Sequence, residues 1–125
     1  MSKKIEWKSA PKAKDYEGVK DFLTLLCSEK DADSLIDRLD QAQQIERAGK
    51  DLLRAAALPL LSKDDPHVCD DLKDIRKGKA LPPVLLIRGD LKEAHSLVIA
   101  DGYHRICASY IVDESSPISC RLVDF

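Results

Sequence analysis

No stretch of the chain approaches the roughly 18 consecutive apolar residues of a membrane span, so a helical transmembrane protein is excluded. The start, Met1-Ser2-Lys3-Lys4-Ile5-Glu6-Trp7, also lacks the apolar core of a signal peptide, and a cytoplasmic location is expected. No C-x-x-C pair occurs: the four cysteines stand at 27, 69, 107 and 120, and the three histidines at 67, 95 and 104 supply no zinc-ligand spacing. The thiols are expected reduced, mostly buried and free of disulfides. A basic excess is missing too. Lys plus Arg total 20 against 22 Asp plus Glu, a formal charge of −2, which disfavours a domain built mainly to hold DNA. No internal repeat or low-complexity segment is visible. What is present is 125 residues, 44% hydrophobic and 34% charged, enough for one globular core and too little for a multidomain machine.

Along the chain, residues 1–14 are lysine-rich and aperiodic, and they read as a flexible arm. Trp7 within it is expected to pack on the domain surface. From Asp15, the apolar residues Val19, Phe22, Leu23 and Leu26 predict an amphipathic helix ending near Ser28. Asp31 or Asp33 can cap a second helix carrying Leu35, Ile36, Leu39, Ala42 and Ile45, weakened by Gly49 and resuming to Pro59. Residues 15–57 are thus expected to form a helical extension packed on the core, and residues 58–125 the main domain. There, Asp65-Pro66 opens a helix with Val68, Leu72 and Ile75 inward, and Gly78 stops it. Pro83 to Arg88 and Leu97 to Ala100 read as strands covered on both faces, and Tyr103 to about Asp113 as a helix. Pro117 to Val123 alternates like a strand half exposed to water. The fold class is α/β.

The informative segment is Ala100-Asp101-Gly102-Tyr103-His104-Arg105, a strand ending in a glycine turn that opens a helix. Glycine permits close backbone approach, and the amides and dipole of a helix start attract a negative group. Arg105 adds a fork of donors and His104 a group able to donate or transfer a proton. Together they suit a phosphate, although an arginine in a first turn also pairs readily with a neighbouring carboxylate. Asp101 reads equally as a turn residue or a general base. Cys107 reads as a small buried helix residue rather than a nucleophile, and His95 as exposed. Lys50, Arg54, Lys63, Lys73, Arg76, Lys77 and Lys79 are interspersed with Asp51, Asp64, Asp70, Asp71 and Asp74, which argues against one basic patch.

In order and motif, residues 65–123 resemble the ParB/sulfiredoxin fold family. The resemblance lies in the helix from Asp65, the run Leu81 to Ile87 followed by Arg88-Gly89, the turn Gly102-Tyr103-His104-Arg105, and Pro117-Ile118 opening the last strand. It implies a small mixed sheet with flanking helices and an N-terminal helical extension. Sulfiredoxins carry G-C-H-R at this turn and ParB proteins G-E-R-R, in both cases against nucleotide phosphates, and a related group phosphorylates free serine using ADP. The whole chain is also similar to bacterial proteins of unassigned function that carry such a domain. The resemblance implies Gly102, His104 and Arg105, with Tyr103 between them, as contacts to a phosphate or nucleotide.

Tyr103 stands where a sulfiredoxin has its catalytic cysteine, and a phenol cannot supply that thiolate, so sulfiredoxin activity is not expected. A complete partition protein is not expected either, because no helix-turn-helix segment follows the matched region. His67, Asp70 and Asp74 share a helix face at i, i+3 and i+7 and either form, with Asp101, a second wall of the site or, for Asp70 and Asp74, only solvate an exposed helix face. The resemblance implies basic or hydroxyl groups at those three positions. Carboxylates in their place would repel bare phosphate, so ATP, ADP or CTP is expected with magnesium. The function expected is nucleotide or phosphate binding, serving a phosphotransfer enzyme or a nucleotide-gated switch. The alternative is a non-catalytic protein- or DNA-interaction module related to ParB, with the N-terminal helices meeting a protein and no DNA binding by this chain alone.

Overall fold

The structure, a computed structural model, describes residues 4–125. Its elements run α1 (Ala13–Leu23), α2 (Glu29–Gln41), β1 (Ile45–Ala48), α3 (Gly49–Ala56), α4 (Pro66–Arg76), β2 (Val84–Ile87), β3 (Val98–Asp101), α5 (Tyr103–Val112) and β4 (Pro117–Val123). The four strands form one mixed sheet in the order β1-β4-β2-β3. β4 and β2 are parallel, and the two outer pairings are antiparallel. Helices cover both faces. Val19 and Leu23 of α1 and Ala32, Leu35 and Leu39 of α2 pack on Leu85, Ile87 and Ala100. Residues of α3, α4 and α5 pack on Val84, Leu86, Ile118 and Cys120 from the other side.

The α/β class and the positions of β2 and β3 match the sequence reading, and β2 is buried at all four positions as its unbroken apolar run requires, whereas β3, at the sheet edge, is buried only at Ala100. The helical half differs. α1 ends at Leu23 and passes through a turn to Ser28, which is extended and caps α2, its hydroxyl accepting from Asp31 N–H at 3.1 Å. Neither Asp31 nor Asp33 is the cap. The second helix does not run on through Ile45 either: Ala42 is extended (φ −69°, ψ 145°), and Ile45–Ala48 pairs with β4. The segment expected to be wholly helical therefore also supplies an edge strand to the sheet. α3 then starts at Gly49, where a Cβ would lie 3.2 Å from Ile118 Cδ1.

The expected flexible arm is also corrected, for residues 4–14, of which Ala13 and Lys14 open α1; the first three residues lie outside those described. Ile5 is buried in the core, Trp7 bridges to Leu81, and the backbone bonds Lys8 N–H to Leu81 O (2.8 Å) and Leu81 N–H to Glu6 O (2.9 Å) fasten the segment. Trp7 packs against the core from a partly buried position, as expected. β4 is not half exposed. Ile118 to Arg121 are all buried because β4 lies second in the sheet, between β1 and β2, with helices on both faces. Its alternation records two different buried environments: Ile118 and Cys120 meet apolar groups, while Arg121 turns to the α2 side.

There Arg121, 9% exposed, donates to Leu39 O (3.2 Å), Asp40 O (2.7 Å), Gln44 Oε1 (2.8 Å) and Ser9 O (3.2 Å). The first two are carbonyls of the last turn of α2, where acceptors outnumber backbone donors; Leu39 O also accepts from Ala42 N–H at 3.3 Å. All four cysteines are free; Cys107 and Cys120 are buried, and burial pushes the Cys120 thiol up to about 11. Replacing Arg121 with Met keeps the length of the side chain and takes the guanidinium donors away from Asp40 O, Gln44 Oε1 and Ser9 O. We expect Arg121→Met to lose about 3 kcal/mol of unfolding free energy in urea titration, whereas a loss below about 1 kcal/mol would show that water satisfies them instead.

Candidate functional site

β3 delivers the chain into Gly102, whose φ of +106° lies in the left-handed region, and α5 begins at the next residue. A Cβ at this position would sit 2.8 Å from Val84 Cγ2 and 2.8 Å from Arg105 Nη2, so both conformation and space require glycine. The first hydrogen bond of α5 is donated by Ile106 to Gly102 O at 3.0 Å, leaving the amides of residues 103–105 as the free donors of the first turn. On the facing side, Asp65 caps α4 by accepting from His67 N–H (3.0 Å) and Val68 N–H (3.1 Å). The two helix starts enclose a cleft of about 260 Å³. His67, Asp70 and Asp71 line it from α4, and Asp101, Gly102, His104 and Arg105 line it from the turn.

Arg105 folds back over Gly102. Its Nη2 donates to Asp101 Oδ2 at 2.7 Å and to Pro83 O at 3.4 Å, and its side chain is 13% exposed. Its Nε is buried without a hydrogen-bond partner among the described residues. The guanidinium thus both pairs with a carboxylate and lines the cleft. His104 is more open; its Nε2 lies 3.9 Å from Asp65 Oδ1, and its ring centroid is 4.8 Å from that of His67.

Two expected site residues fall elsewhere. Tyr103 does not line the cleft; its hydroxyl donates to Pro59 O at 2.5 Å in the loop before α4. A residue one position into a helix points about 100° away from the next, and here that turns the phenol to the α3–α4 connection. Asp74 does not line the cleft either, being a further turn along α4. In its place stands Asp71, which the sequence reading passed over. It is i+4 from His67, a spacing as close as the i+3 that singled out Asp70, so the signal was present. Burial raises the Asp71 carboxyl above its ordinary range, with Arg105 opposing and Asp74 adding to the rise. Cys107 is fully buried, and burial pushes its thiol up, consistent with a packing residue. His95 is exposed in the turn between β2 and β3.

Three carboxylates and one guanidinium make this a mixed-charge cleft. Among the described residues, no three or more His, Cys, Asp or Glu side chains are placed to hold a metal ion by themselves. Asp70 and Asp71 are hard oxygen donors, suited to magnesium whose remaining positions a phosphate and water would fill. Comparison with family models, curated proteins and solved structures finds no match.

Two outcomes are expected. Gly102→Ala should cost about 1–3 kcal/mol in denaturant unfolding through strain at positive φ and the displaced Arg105. Asp71, whose folded pKa is raised, penalises the folded state once the pH exceeds that value; as pH falls toward the unfolded value of 3.8, protonation removes the penalty. Asp71→Asn should therefore raise Tm at neutral pH, with the gain shrinking as the pH falls toward 3.8 and absent below it; an equal gain at all pH values would contradict this origin.

Proposed function

We propose that the protein binds a nucleotide, or another phosphate ligand, in the cleft between the starts of α4 and α5, within a ParB/sulfiredoxin-like fold. The observation that carries this reading is the convergence, on one cleft, of the Arg105 guanidinium and the free amides following a left-handed Gly102. A phosphate approaching that helix start meets the dipole and backbone donors with no Cβ in the way. Asp70 and Asp71 oppose a bare anion; with magnesium bound, these two carboxylates would hold it and it would supply the positive charge that offsets them, while Arg105 would exchange part of its bond to Asp101 for the ligand. His104, with its side chain 41% exposed, is the group placed to hold or transfer a proton beside the bound phosphate. This arrangement serves phosphotransfer or a nucleotide-gated switch. The buried Cys107 argues against thiol chemistry.

The 2.7 Å Arg105–Asp101 pair favours a second reading, in which the arginine only braces the turn and the domain is a non-catalytic interaction module. Thermal denaturation with ATP, ADP or CTP separates the two. Ligand at about 100 times Kd should stabilise the fold by roughly 2.7 kcal/mol. The shift should vanish in excess chelator, in Arg105→Ala and in the Asp70→Asn, Asp71→Asn double variant. No shift with any of the three nucleotides, with or without magnesium, supports the interaction module.

A further inference from the structure

The whole-chain charge of −2 conceals a strong segregation that the fold creates. Residues 4–15 and 73–79 hold eight lysines and arginines against three carboxylates, while the rest of the chain holds 12 against 19. These two segments are far apart in sequence and side by side in space. The Trp7–Leu81 bridge and its two backbone hydrogen bonds lay the N-terminal segment against the stretch leaving α4, and Gly78, at φ +74°, turns the chain to meet it. Lys4, Lys12, Lys14, Lys73, Arg76, Lys77 and Lys79 are exposed and Lys8 partly so. None of the eight forms an ion pair among the described residues.

The crowding is close. The neighbouring Lys8 ammonium, followed by slight burial and the charge of Lys79, holds the Lys12 pKa below the ordinary lysine value, and Asp15 only partly opposes them. The carboxylate of Asp15 already accepts the Lys12 backbone N–H at 2.8 Å. Lys73 and Arg76 in the last turn of α4 also complement its dipole, but that accounts for neither Lys8, Lys12 nor Lys79.

We infer that this face, built from the N-terminal segment and the C-terminal end of α4, is a docking surface for the phosphate backbone of a nucleic-acid strand. The character of the surface selects this occupant among polyanions. The large exposed hydrophobic residues, from Phe22, Leu25 and Leu26 through Leu91 to Phe125, all lie outside both segments. A basic site on a lipid surface is ordinarily accompanied by apolar side chains that enter the acyl boundary. A protein interface takes its affinity from apolar and aromatic anchors. A repeating phosphate backbone needs neither, because binding is driven by counterion release from the strand. The contact is independent of base sequence, and it stands apart from the carboxylate-lined cleft.

The full-length protein is titrated into a fluorescently labelled single strand of mixed sequence, about 20 nucleotides long, followed by anisotropy. Binding should weaken with salt at a log–log slope near −0.7 per phosphate, about −3 for roughly four contacts. The Lys12→Glu, Lys79→Glu double variant should bind about tenfold more weakly or worse, with a shallower slope. Lys30→Glu with Lys92→Glu, the same charge change at exposed positions elsewhere, should bind at least about fivefold more tightly than that variant, and thermal melts check that both fold. Arg105→Ala should bind the strand as the parent does, so the nucleotide reading can fail while this one stands. Absence of binding at low salt, equal losses in the two double variants, or tighter binding to anionic vesicles or polyglutamate overturns the proposal.

Discussion

Arg121 is the point at which the separately coded parts of the chain are tied together. It sits on the strand second in the sheet, carries a full charge into a nearly water-free position, and has neutral oxygens rather than a carboxylate as partners. Burying a charge in this way is tolerable only when its donors are satisfied, so the partners must be present wherever the strand is. They come from the end of α2, from Gln44 before β1, and from Ser9 in the N-terminal segment. Gln44 also donates to Lys8 O at 3.0 Å, extending the tie. One side chain thus ends a helix, starts an edge strand and pins the segment that supplies half of the basic face.

The same sheet sets the cleft. β4 pairs in parallel with β2, and Val84 of β2 leaves no room for a Cβ at Gly102, so the start of α5 is placed by packing rather than by loop chemistry alone. The Arg105–Asp101 pair then spans one helical turn within the rim. A guanidinium held by a single short bond, with Nε unpartnered, retains donors for a second acceptor. The carboxylates across the cleft decide what that acceptor can be, because an anion alone would add a negative charge to a site that already holds three.

How much of this was legible in the sequence depends on whether a signal was local. The Asp65-Pro66 helix start, the strand Val84–Ile87 and the Gly102 turn rest on capping, an unbroken apolar run and backbone freedom, each decided within a few residues, and each stands in the structure. The strand Ile45–Ala48 was hidden because Ile45 also continues a helical spacing from Ala42, and only pairing with a strand some 70 residues later resolves the choice. The lysine-rich start looked unattached because its partner, Leu81, is equally remote. Asp71 was missed for a smaller reason: two neighbouring aspartates compete for one helix face, and the facing wall selects the second of them alongside the first. The particular fold family and the ligand lie beyond what these local signals decide.

The position of β4 has a consequence for how the chain acquires its structure. It is synthesised after the other three strands, yet it lies inside the sheet, between β1 and β2. Until it is made, β1 has no strand to pair with, the parallel partner of β2 is missing, and the end of α2 lacks its guanidinium. Early folding can gather α1, α2 and the β2–β3 hairpin, but the sheet closes only through contacts between distant parts of the chain, which are slow to form. A ribosome-bound intermediate would therefore display the unpaired edge of β2, a strand of Val-Leu-Leu-Ile, for the time needed to synthesise the remaining residues.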